Sequence, residues 1–158
     1  MNAAPGDITT ELAARLRLTV ARTARRLRQE AGSDLGPAQA SALATIETHG
    51  PLAPSELAHR ERIKRPTATR IVGSLERLGL IERVADPSDG RCSILSASAE
   101  GRALLRRLRA RKTAYLAQRL RDLDPDDLAA LERAAEVLER MLEQDPTAEQ
   151  SARRGGRA

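Results

Sequence analysis

The chain is 158 residues long with 41% hydrophobic and 31% charged residues, a size and balance that fit one compact unit or one protomer of a dimer and exclude disorder throughout. No uncharged apolar stretch approaches the ~20 residues of a spanning helix, and the first residues lack the basic start and apolar core of a secretory signal, so no membrane partner and a cytoplasmic location are expected. The net charge of +5 hides an asymmetry: residues 1–121 carry a balance of +10, residues 122–149 one of −8 and the remainder one of +3, so a basic body suited to polyanions is masked by an acidic segment.

From Asp7 to Ala31 the apolar side chains Leu12, Leu16, Val20 and Leu27 fall on one side of a predicted helix that Gly32 ends, and arginines crowd the rest. Gly36-Pro37 opens a second helix, Ala38 to Thr48, closed by His49-Gly50-Pro51. A short helix begins at Pro54-Ser55-Glu56-Leu57-Ala58, and Ile63 sits in the turn after it. Pro66 takes the first position of the next helix, where Ala68, Ile71, Leu75 and Leu78 recur at helical spacing before Gly79 caps the end. The other face carries Pro66, Thr67, Arg70, Gly73, Ser74 and Arg77 and is small, polar and basic. Two short helices at this spacing, the second with such a face, point to a helix-turn-helix.

After Gly79 the hydrophobic period shortens to that of a strand. Residues 80–85 and 91–96 are expected to pair across Asp86-Pro87-Ser88-Asp89-Gly90, which holds a turn's usual residues. A basic-tipped hairpin in this place is a wing. Ser98 is the expected N-cap of a long helix to Asp122, with Leu104, Leu105, Leu108, Tyr115, Leu116 and Leu120 on its buried side. Asp124-Pro125-Asp126 caps a last helix in which Leu128, Leu131, Ala135, Leu138 and Leu142 alternate spacings of three and four. That is a heptad-like seam, too regular for a lone surface helix. Residues 145–158 are polar and glycine-ended, and are expected to be a disordered tail.

The residue chemistry narrows the function further. There is no Phe or Trp and a single Tyr, Tyr115, so a core of Leu, Ala, Ile and Val is expected, and the base-stacking platforms of OB and RRM folds are excluded. Of the 27 basic residues 25 are Arg, the side chain suited to bidentate phosphate and guanine contacts. One cysteine excludes an internal disulfide, and His49 and His59 have neither cysteine partners nor metal-ligand spacing. With no nucleophile elbow and no phosphate-binding glycine loop, no enzyme, metal or cofactor is expected.

The helix with Thr67-Ala68-Thr69-Arg70, followed by Gly79-Leu80-Ile81-Glu82-Arg83, Asp86-Pro87-Ser88-Asp89-Gly90-Arg91 and Ala99-Glu100-Gly101, closely resembles the MarR family of bacterial winged-helix transcriptional regulators. The resemblance implies a mainly α fold with a small β-wing. In it, residues 1–35 are an N-terminal helix of the dimerisation region, residues 36–97 a winged helix-turn-helix, and residues 98–144 the C-terminal helices of the dimerisation region. It implies a homodimer, with Leu12, Leu16, Leu128, Leu131, Leu138 and Leu142 as its apolar contacts, acting as a repressor on a pseudo-palindromic duplex site and associated with the nucleoid when bound. A DNA-coating or adaptor protein that keeps the fold without operator specificity is the alternative.

The expected DNA contacts begin in the basic run before the fourth helix, where Arg62, Lys64 and Arg65 reach phosphates with the helix start at Pro66. Thr67, Thr69 and Ser74 flank Arg70, which is placed to read a guanine edge. By the resemblance, Arg91 enters the minor groove and Asp89 orients it. Cys92 is expected to be a small strand residue rather than a redox switch. The aromatic residues common in the family's effector crevices are absent, so an aromatic effector is not expected; an anionic one would find Arg15, Arg22 or Arg25 and otherwise aliphatic contacts.

Overall fold

The computed structural model describes residues 5–32, 35–85 and 93–143. The expected turn of residues 86–90 with Asp89, the first two residues of the expected second strand, Arg91 and Cys92, and the expected tail of residues 145–158 lie outside the described residues. The chain divides into two compact units, Met1–Tyr115 and Leu116–Ala158, and the division falls within one long helix.

In the first unit, α1 runs Pro5–Ala31 and stops at Gly32, whose φ of +58° is the left-handed conformation that glycine adopts without steric cost. Helix α2 (Pro37–His49) buries Ala42, Leu43 and Ile46. Helix α3 (Pro54–Arg60) buries Leu57 and Ala58, and α4 (Arg65–Arg77) buries Ala68, Ile71, Val72 and Leu75. Two details of α4 differ from the sequence expectation. The helix starts one residue earlier, putting Pro66 second, and Leu78 is 55% exposed while Val72 is buried in the core. Leu78 falls beyond the last helical turn, where the helical spacing no longer applies.

Strands β1 (Ile81–Ala85) and β2 (Ser93–Ala97) pair antiparallel, with Ile81 opposite Ala97 and Ala85 opposite Ser93. The other edge of β2 is not bare. Leu52 exchanges two backbone hydrogen bonds with Leu95, at 3.1 and 2.8 Å. The two residues between Pro51 and Pro54 are too few to show a period, so sequence reasoning placed no strand there. Leu43, Ile46, Leu57, Val72, Leu75 and Leu95, all aliphatic, are the largest fully buried side chains and centre the core on the helix-turn-helix.

Helix α5 (Ala99–Leu120) is seated by its first turn. The Ser98 hydroxyl accepts from the Gly101 N–H at 3.0 Å and donates to the Gly79 carbonyl at 2.6 Å, so one buried side chain caps α5 and satisfies the end of α4. The helix approaches so closely that a Cβ on Gly101 would lie 2.1 Å from the Leu80 carbonyl oxygen. Farther along, Leu105 and Leu108 are buried, and Arg111 donates to the Ala31 carbonyl at 3.0 Å, closing off the end of α1.

Helix α1 leaves an apolar row uncovered. Leu12, half of whose surface is accessible, is exposed along with Leu16 and Val20; Ala24 and Leu27 are half-buried, and only Ala31 at the end of the helix is buried. In the second unit, α6 (Pro125–Glu143) is capped by the Asp124 carboxylate, which accepts from the Asp127 N–H at 2.8 Å. No residue of α6 is buried: Leu128, Leu131 and Leu142 are exposed, Leu142 by 73%, and Leu138 is half-buried. Leu116, expected on the buried side of α5, is also exposed.

Candidate nucleic-acid interface

The turn between α3 and α4 is built to present charge. The Arg62 N–H bonds the His59 carbonyl and the Ile63 N–H bonds the Ala58 carbonyl, a Schellman closure of α3. Its left-handed residue is Arg62, at φ +53°, where glycine is usual; that conformation costs a side-chain-bearing residue about 1–2 kcal/mol. Ile63 anchors the turn against the core, and Thr45 of α2 donates to the Glu61 carboxylate. The only acid in this basic run is therefore tied inward, while Arg62, Lys64 and Arg65 stand exposed. No side chain caps the start of α4, leaving its first N–H groups and positive dipole end available to an anion.

Along α4, Pro66, Arg70, Gly73 and Arg77 follow one another on the face opposite Ala68, Ile71, Val72 and Leu75. Thr69 is exposed and donates its hydroxyl to the Arg65 carbonyl at 3.0 Å. Thr67 and Ser74 are half-buried at the edge of this face. The Ser74 hydroxyl accepts from Gln39 Nε2 at 2.7 Å, and Gln39 Oε1 accepts from the Gly36 N–H at 2.8 Å. Ser74 thus braces α4 against the start of α2.

Glu76 stands next to Arg77 in the sequence, but the two do not pair. Glu76 instead takes Arg83 in a two-point contact, Nε to Oε1 at 2.8 Å and Nη2 to Oε2 at 3.3 Å, while Arg83 Nη1 also donates to Ser93. The hydrogen bond to Glu76 raises the Arg83 pKa above its ordinary value. The pair is partly exposed, so it adds little stability, but it ties the end of α4 to the base of the hairpin. Among the described residues Arg62, Lys64, Arg65, Arg70 and Arg77 make no ion pair; the pairs present involve Arg26, Arg60, Arg83 and Arg109. Five unpaired cations on one turn and one helix face are an electrostatic footprint for a polyanion.

Arg15 and Arg22 are both exposed on α1. Arg22 lines a shallow hollow of about 390 Å³ with Leu18, Arg25 and Arg26. A second hollow lies where α1, α2 and α5 meet, about 380 Å³ between Leu27, Arg28, Ala44, Leu105, Leu108 and Lys112. Its wall is mostly aliphatic, and besides Arg109, which is held by Glu47, it carries the cations Arg28 and Lys112, residues that sequence reasoning did not select because they come together only when three separate helices pack. Tyr115 is engaged, its hydroxyl accepting from Arg26 Nε at 3.2 Å. Among the described residues no cluster of metal-ligating side chains occurs, and no helix is long and apolar enough to cross a membrane.

The MarR family model matches residues 35–93, the stretch from the start of α2 into β2. The chain is 35% identical over 141 residues to a helix-turn-helix-type transcriptional regulator of Mycobacterium leprae, covering 89% of this chain and 99% of that one. It is 32% identical over 111 residues to the transcriptional repressor MdtR of Bacillus subtilis, covering 66% and 72% of the two chains. Among solved structures, a transcriptional regulator protein of Pseudomonas aeruginosa superposes with a TM-score of 0.79 at 35% identity, over 90% of this chain and all of that one.

Proposed function

The chain belongs to the MarR family of transcriptional regulators, and from that premise we propose that it acts as a homodimeric repressor on a pseudo-palindromic duplex operator, held at the nucleoid while bound. The observation that carries this reading is the exposed, unpaired basic face of α4 and the turn before it. Arg70 reads a base edge in the major groove, with Pro66, Thr67, Thr69 and Ser74 around it, while Arg62, Lys64 and Arg65 hold the flanking phosphates. Arg91, oriented by Asp89, enters the adjacent minor groove.

The dimer reading rests on the uncovered leucines of α1 and α6, which a second copy of the chain would bury. Burying a fully exposed leucine contributes about 1.5–3 kcal/mol; Leu12, Leu16, Leu128, Leu131, Leu138 and Leu142, already partly covered, would each add a share of that in both copies. Half-sites about one helical turn apart would follow from the two-fold axis. Repression is supported by the named activity of the B. subtilis relative. An effector that releases the DNA would enter between α1, α2 and α5, where Arg28 and Lys112 stand over an aliphatic wall; Arg15 and Arg22 would attract it from α1.

Selection of bound sites from a random duplex pool tests the whole reading. A specific regulator yields a two-fold-related motif and prefers it over random duplex by about 10³-fold or more. Uniform binding to all duplexes would instead establish a DNA-coating protein, and no binding at all an adaptor.

A further inference from the structure

Between the first turn of α2 and the second half of α4 lies an open hollow of about 430 Å³ whose wall includes Pro37, Ala38, Gln39, Arg70, Ser74 and Arg77. We infer that this hollow takes a backbone phosphate of the operator strand flanking the major groove, and that Arg77 is the residue that holds it. The inference rests on the DNA-binding reading above, gives Arg77 of that basic face a specific partner, and extends the contact surface to α2.

Charge is the first argument. No carboxylate lines the hollow among the described residues, and Arg77 is exposed without an ion pair because the adjacent Glu76 is committed to Arg83. The cation comes from α4. At the start of α2, Pro37 has no N–H and the Gly36 N–H is already taken by Gln39, so α2 can add only the N–H groups of Ala38 and Gln39.

Geometry is the second. Arg70 and Arg77 are seven residues apart, on one stripe of the helix and about 10 Å apart along its axis. The major groove is about 12 Å wide. With Arg70 at the base edges, Arg77 is carried out to the sugar-phosphate wall. Rigidity is the third. The Gln39–Ser74 and Gln39–Gly36 hydrogen bonds fix the two walls of the hollow relative to each other, so a phosphate seated there sets the angle at which α4 enters the groove.

Two variants of the full-length protein test this against the selected operator, across a salt series. Arg77→Gln should lower the slope of log K against log salt by about 0.9 for each half-site and leave the base preference intact. Ala38→Glu places a carboxylate in the hollow without touching α4. An acid in the first turn of a helix favours folding, so the variant should be at least as stable as the parent and yet bind the operator several-fold more weakly. An unchanged slope and affinity in Arg77→Gln would overturn the assignment, as would an altered base preference, which would make Arg77 a base reader. Full operator affinity in a folded Ala38→Glu protein would also overturn it. If the parent protein selects no duplex, the DNA-binding reading fails first and takes this one with it, a result distinct from the others.

Discussion

The same substitution at two helical glycines should have opposite signs. Gly73 lies within α4 and Gly101 in the first turn of α5, and alanine is favoured over glycine in a helix interior by about 1 kcal/mol. At Gly73 an added Cβ meets nothing within 4 Å, so Gly73→Ala should stabilise by about 0.5–1 kcal/mol. At Gly101 the Cβ would fall 2.1 Å from the Leu80 carbonyl oxygen and 3.2 Å from a methyl of Leu43, far inside the ~3.5 Å at which non-bonded contacts become favourable. The obstacle is backbone and cannot swing away. Helix α5 would have to retreat, loosening the Ser98 N–H bond to the Leu80 carbonyl and the cap behind it. Overpacking costs about 1–3 kcal/mol, and against unyielding backbone the upper part of that range applies, about 2–3 kcal/mol, which outweighs the propensity gain of about 1 kcal/mol. Gly101→Ala should therefore destabilise by about 1–2 kcal/mol, lowering Tm by about 2–8 °C for a chain of this size. Urea denaturation of both variants at one fixed protein concentration makes the comparison. A Gly101→Ala protein as stable as the parent would refute the close approach of α5 to Leu80, and a Gly73→Ala protein equally destabilised would refute the open face of α4.

Arg70→Ala should cost about 1–3 kcal/mol at the selected operator and flatten the preference at one base pair per half-site; an unaltered selection profile would remove Arg70 from the bases. Leu131→Asp or Leu138→Asp should give monomers or insoluble protein, and light scattering that finds a soluble monomer still bound to operator would sink the dimer. Ser98→Ala removes the α5 cap and leaves the Gly79 carbonyl without its partner, a loss of about 1–2 kcal/mol by denaturant titration. The hydrogen bond from Arg109 depresses the Glu47 pKa. The stability it contributes is therefore present above the ordinary carboxylate range and is lost as pH falls through and below that range. Parent and Glu47→Gln midpoints should converge on acidification, and a gap that widens instead would contradict the pair.

Local sequence was enough for the elements and for the family. Gly32 and Gly79 end helices because only the backbone freedom of glycine makes a left-handed residue cheap there. Ser98 and Asp124 cap because their short oxygens reach N–H groups three residues on. The spacing of Ala68, Ile71 and Leu75 dictated which side of α4 turns outward, and with it the exposure of Arg70. All of these depend on atoms a few residues apart. What the sequence could not decide was which of several equivalent partners a group takes. Glu76 has Arg77 beside it, yet it pairs with Arg83, because the hairpin brings that guanidinium across and leaves Arg77 free. Leu52 joins β2 although nothing around it reads as a strand, and Arg28 meets Lys112 around one hollow only because α1 and α5 pack on α2. Leucines at helical spacing look alike in any helix. Leu105 and Leu108 are buried while Leu12 and Leu131 are open, because spacing says which residues share a face, and only the packing of distant elements says whether anything covers it.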